Sequence, residues 1–142
     1  MALLFMGGLR RSEAAALRWG DLADGEDGLL LVRVQASKTN QDGATTDLRV
    51  LKGAFVQALR DLRDLRSGDA PDSAPVIGLK GQRISQRFTA LGKAAGLPVR
   101  LTGHSGRVGL ASELIARGAS TAEVMLAGNW KSARMVTHYG AA

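Results

Sequence analysis

Thr102-Gly103-His104-Ser105-Gly106-Arg107-Val108-Gly109, followed downstream by Ala127-Gly128-Asn129-Trp130 and then Tyr139, is the stretch on which the reading of this chain turns. The apolar spacing predicts a helix over residues 104–117 that stops at Gly118. His104 and Arg107 are three apart, so both leave one face of its first turn and can meet a single ligand there. A helix N-terminus also favours an anion. A His and an Arg at this spacing are more often an ordinary exposed pair than a site, so the weight comes from what converges elsewhere in the chain.

The 142 residues suit one domain, and 45% apolar residues are enough for a core. Nineteen Lys plus Arg against thirteen Asp plus Glu leave a net charge of +6, which favours a polyanionic partner: nucleic acid, an acidic protein or a membrane surface. The absence of cysteine excludes a disulfide framework and a thiolate metal site. Two histidines cannot build a zinc centre without carboxylate help, so chemistry without a metal is expected. No apolar run approaches the roughly 20 residues that span a bilayer, and residues 1–6 lack the basic start and cleavage pattern of a secretory signal. A cytoplasmic location is the expectation.

From the start, residues 2–18 read as a helix interrupted at Gly7-Gly8. Its abrupt apolar opening at Leu3, Leu4, Phe5 and Met6 leads us to expect missing upstream residues and an exposed, self-associating first helix. Residues 29–34 and 45–50 read as a β-hairpin around a polar loop at 37–43, preceded by a turn at 24–28. Helices follow at 52–66, 80–95, 104–117, 120–127 and 132–139, with a Pro, Gly and Ser rich loop at 67–75. Ser120 and Glu123 form a capping box, and Lys80, Arg83, Arg87 and Lys93 along one helix could line a phosphate backbone. The expected fold is α+β, mainly α-helical, with a small antiparallel sheet inserted after the first helix.

Taken together, Gly8-Leu9-Arg10-Arg11-Ser12-Glu13, Lys38 at the hairpin tip, His104 with Arg107, Trp130, and finally Tyr139 form an ordered set. This set resembles the catalytic domain of the tyrosine recombinase, or phage integrase, family, in its Cre-like branch, where Trp replaces His at the fifth position. The resemblance covers nearly the whole chain. It implies a DNA breaking-rejoining enzyme that works through a 3′-phosphotyrosine, without metal or cofactor.

The resemblance also assigns roles. Tyr139 is the nucleophile, and Arg10 and Arg107 hold the non-bridging phosphoryl oxygens. Lys38 protonates the leaving 5′-oxygen, and His104 accepts the tyrosine proton or donates to the phosphate. Trp130 offers an indole N–H, which can donate a hydrogen bond but cannot transfer a proton. Glu13 supports the site through hydrogen bonds. Arg11 and Arg18 read as surface charges with at best a contact to the DNA backbone, Trp19 as core, and His138 carries no role. Family members usually carry an N-terminal DNA-clamping domain, so the expectation is one catalytic domain over residues 1–142, truncated at both ends. The expected partners are double-stranded DNA and further copies of the chain in a tetrameric synapse on it, with no membrane and with a nucleoid-associated location. The alternative from another class is a noncatalytic DNA-binding remnant.

Overall fold

The computed structural model describes residues 2–34, 47–65 and 71–140. It divides into two compact units, one formed by Met1–Ala14 with Leu79–Ala142 and the other by Ala15–Gly78.

In the first unit, the helix read over residues 2–18 with an interruption at Gly7-Gly8 is two short ones, α1 (Ala2–Met6) and α2 (Arg11–Ala16), the second ending beyond the unit boundary and two residues short of the expected end. Gly8 has φ +62°, a left-handed conformation that a right-handed helix cannot absorb. Then come α4 (Gly81–Ala94), α5 (Ser105–Ala116), α6 (Thr121–Gly128) and α7 (Ala133–Gly140). Helices α5, α6 and α7 pack around Leu110, Ala111, Val124, Trp130 and Val136. Helix α1 lies against α5, where a Cβ on Gly106 would come within 2.9 Å of the Leu4 backbone. Leu3 and Leu4 are buried by this packing and Met6 partly so, which confines the expected exposure of the first helix to Phe5. The capping box forms as read: the Ser120 N–H donates to Glu123 Oε2 at 2.6 Å and the Glu123 N–H to Ser120 Oγ at 3.2 Å. Such a cap stabilises a helix by about 1 kcal/mol.

The second unit holds an antiparallel sheet in the order β1-β2-β3, made of β1 (Leu22–Asp24), β2 (Leu30–Val34) and β3 (Asp47–Leu51), followed by helix α3 (Ala54–Leu65). Strand β1 is absent from the sequence reading because three residues are too few to show a two-residue period. It pairs Leu22 with Val32 and Asp24 with Leu30, back across a turn in which Asp27 and Gly28 have φ 56° and 75°. The polar loop between β2 and β3 lies outside the described residues.

Burial alternates along β2, with Leu30, Val32 and Val34 inside. On β3 the polarity is reversed: Arg49 and Leu51 are buried, while Leu48 and Val50 are 52% and 54% exposed. Arg49 meets Asp47 in a two-pronged contact, Nε to Oδ1 at 2.7 Å and Nη2 to Oδ2 at 2.9 Å. Trp19 is core, as read, and its N–H donates to the Ala74 carbonyl at 3.0 Å. Arg18 is exposed but engaged, donating to the Ser73 carbonyl. The architecture is thus mainly helical α+β with one small antiparallel sheet inserted early, as the sequence leads one to expect. No described helix is long and apolar enough to cross a membrane.

Candidate active site

The residues of the candidate site lie in the first unit. The loop before α5 is pinned by short-range bonds. Gly103 N–H donates to Ser85 Oγ on α4 at 3.0 Å, Thr102 N–H to Ser105 Oγ at 2.8 Å, and Thr89 Oγ1 to the Leu101 carbonyl at 2.7 Å. His104 is therefore presented from a fixed loop at the N-cap of α5. Helix α7 faces it. Val136, 1% exposed, anchors α7 in the core, and Tyr139, three residues on, shares that face. His104 Nε2 and the Tyr139 hydroxyl are 3.2 Å apart, with the rings edge to face at 6.3 Å.

Arg107 points inward from α5 and is 1% exposed. Its Nη1 donates to the carbonyls of Gly8 at 2.6 Å and Gly128 at 2.5 Å, tying together the loop that carries Arg10 and the loop that carries Trp130. The guanidinium carbon lies 4.0 Å from the Trp130 ring centroid, a cation–π contact. Trp130 is folded back by a left-handed Asn129 (φ 52°) and by its own N–H donating to the Met125 carbonyl at 2.9 Å. A Cβ on Gly128 would fall 2.0 Å from the indole, so the turn needs glycine there. Trp130 also meets Tyr139 edge to face at 6.3 Å.

Arg10 precedes α2. Its amide donates to Glu13 Oε1 at 2.7 Å, the reach-back bond of a helix N-terminus, and its Nη1 lies 3.8 Å from Glu13 Oε2. Glu13 is buried, and the Arg10 side chain is 40% exposed. It opens into a cleft of about 430 Å³ lined by Arg10, Arg11, Ser12, Ser85, Thr102, Gly103 and His104. Among the described residues, no carboxylate lines this cleft. Desolvation of the His104 ring, with repulsion from Arg107 and then Arg10, holds its pKa below the usual 6.5. A smaller cleft in the second unit also holds cations, but Arg60 pairs with Asp24 at 2.5 Å and Arg63 with Asp72 at 3.2 Å.

Of the residues read from the sequence, Arg10, Glu13, His104, Arg107, Trp130 and Tyr139 all fall in this unit. Lys38 lies outside the described residues. The sequence reading missed Ser85, which lines the cleft and whose type carries no signal without the fold, and gave Arg11, which also lines it, at best a contact to the DNA backbone. Among the described residues, no group of three His, Asp or Glu side chains could hold a metal ion.

The same helical arrangement occurs in solved DNA recombinases. The structure of XerA recombinase superposes with a TM-score of 0.75 at 21% identity, over 97% of this chain and 50% of that one. XerH site-specific recombinase, bound to its difH substrate before cleavage, gives 0.77 at 19% identity, over 96% and 40%. A lambda integrase dimer bound to a COC′ core site gives 0.62 at 19% identity, over 96% and 49%. The chain thus spans half or less of the length of these matched chains. Its fold is that of a tyrosine recombinase catalytic domain. The chain belongs to the phage integrase family, whose model matches residues 1–142. Among curated proteins none matches it.

Proposed function

We propose that this chain is the catalytic part of a site-specific DNA recombinase or integrase, cleaving and rejoining DNA strands through a 3′-phosphotyrosine on Tyr139. The observation that carries this reading is the 3.2 Å contact between His104 Nε2 and the Tyr139 hydroxyl, beside a cleft lined by two arginines and, among the described residues, by no carboxylate. With its pKa lowered, His104 is neutral at pH 7. In the tautomer that carries its proton on Nδ1, Nε2 takes the proton of the phenol as the Tyr139 oxygen attacks phosphorus.

The P–O5′ bond breaks, the 3′-phosphate remains on Tyr139, and the 5′-oxygen leaves with a proton supplied by Lys38. A 5′-hydroxyl from another strand reverses the steps, so no net bond energy is lost. Arg10 stabilises the charge that develops on the non-bridging oxygens. Arg107 has already directed its Nη1 edge at two carbonyls, so its contribution is the field of a buried charge plus whatever contact the rest of its guanidinium makes. The partner is double-stranded DNA, a polyanion that a charge of +6 suits, with further copies of the chain assembling on it.

The test is trapping on nicked suicide duplexes of randomised sequence. The wild-type chain should form a covalent adduct resistant to denaturing electrophoresis, and Tyr139→Phe should form none. An adduct that persists in Tyr139→Phe overturns the assignment. DNA binding without an adduct from either protein supports a noncatalytic DNA-binding remnant instead.

A further inference from the structure

The cleft holds more positive charge than one phosphate requires. Arg10 and Arg11 are adjacent, yet they leave the backbone differently: Arg10 precedes α2 and Arg11 is its first residue. Arg10 Nη1 lies 3.8 Å from Glu13 Oε2, whereas Arg11 has no carboxylate partner among the described residues. The stem of Arg11 is held in place. Its Cβ and Cδ lie 3.0 Å from where a Cβ on Gly103 would be, and its Cγ lies 3.5 Å from the same point on Gly81. Two positions without side chains, one before α5 and one opening α4, therefore form a slot for the Arg11 methylenes. Arg11 is exposed beyond that slot, and it forms no ion pair or hydrogen bond with any described residue. Packing of its stem thus orients a cation that no described carboxylate neutralises, on the wall of the cleft that also holds His104.

We infer that Arg11 binds the backbone phosphate adjacent to the scissile one on the cleaved strand, making the cleft a two-phosphate site. This rests on the DNA-strand reading above and adds to it a substrate register. Phosphates on one strand follow each other at about 3.4 Å of helix axis, so a strand laid across Arg10 necessarily offers a second anion close by. A guanidinium forks onto phosphate oxygens with two N–H bonds, and a slot that already restricts its stem reduces the ordering cost of that contact.

Minimal probes test this without knowledge of the target sequence or of any cleavage activity. The thymidine dinucleoside monophosphate TpT carries one phosphodiester, and the trinucleoside diphosphate TpTpT carries two. By NMR titration the wild-type chain should bind TpTpT more tightly than TpT. Arg11→Met, which keeps a stem in the slot but removes the charge, should bind TpT as the wild type does and lose the TpTpT advantage. On a random-sequence duplex, its slope of log K against log salt should be shallower by about 0.9, the value of one phosphate contact. A matching thermal unfolding curve for Arg11→Met would establish that the slot is still filled.

The inference is overturned if wild type shows no TpTpT preference, or if Arg11→Met keeps that preference or weakens TpT and TpTpT alike. Failure of the covalent-adduct test with these binding results intact would sink the catalytic reading and leave the two-phosphate site standing.

Discussion

The guanidinium carbon of Arg107 sits over the Trp130 ring, 4.0 Å from its centroid, while its Nη1 donates to the carbonyls of Gly8 and Gly128. Trp130 is therefore both a core residue and the lid on a buried charge. Trp130→Ala should cost about 3–5 kcal/mol in denaturant unfolding, the usual price of removing a buried aromatic. Trp130→Phe keeps a ring over Arg107 and removes the N–H. If that N–H serves a phosphoryl oxygen, cleavage should fall by about 10² to 10³-fold with a much smaller loss of stability. Equal cleavage by wild type and Trp130→Phe would leave Trp130 a packing residue alone.

The His104 pKa is held below 6.5 in the folded chain, so between that lowered value and 6.5 the unfolded chain binds more protons. The stability His104 contributes is complete above pH 6.5 and is lost as pH falls through the folded pKa. His104→Gln should flatten this acid-side slope in unfolding measured from pH 7 to 5. If the neutral imidazole is the base in cleavage, the acid limb of the rate should have its midpoint below 6.5. A rate that rises as pH drops through this window would make protonated His104 the working form.

Gly128→Ala forces a methyl to within 2.0 Å of the indole of Trp130, and the ring rather than the helix has to move. Overpacking of this kind costs about 1–3 kcal/mol. In a Trp19→Phe background, where Trp130 is the remaining tryptophan, the emission should shift to the red as the ring leaves its site. Unchanged emission and stability would show that the turn can adapt.

Asp47 and Arg49 form an ion pair in which the two side chains are 8% and 2% exposed. Asp47→Ala removes one partner and should destabilise by about 3–5 kcal/mol, whereas Asp47→Ala with Arg49→Met should recover most of that loss. Additive losses in the double variant would mean that the pair is not coupled.

Lys38→Ala should slow cleavage by about 10² to 10⁴-fold if Lys38 is the general acid. Sulfur in place of the bridging 5′-oxygen leaves without a proton, so the defect should largely vanish on that substrate. A defect that persists there, where the wild type cleaves, would move the acid role to another group, with His104 the first candidate.

Much of this protein follows from its residues taken locally. The capping box at Ser120, the helix ends at Gly96 and Gly118, the amphipathic spacing of α3 and α4, and the break at Gly7-Gly8 all depend on neighbours within a few positions. Local sterics and hydrogen bonding decide them. The order Arg10, Lys38, His104, Arg107, Trp130, Tyr139 was likewise legible, because residue type and spacing are properties of the chain itself.

Contacts that close long loops were not legible. Arg107 reaches Gly8 across 99 positions, and that bond makes it a buried tie rather than an exposed half of a pair with His104. The inward side of β3 went to Arg49, with Leu48 and Val50 outside, because pairing with β2 sets the register and Asp47 is at hand to compensate the charge. Strand β1 exists because β2 supplies its hydrogen-bond partners; its three residues carry no period of their own. Arg11 reads as a surface charge until Gly81 and Gly103, remote in sequence, form the slot for its stem. In each case the deciding energy is a partner's burial or pairing, and it exists only once distant segments have met.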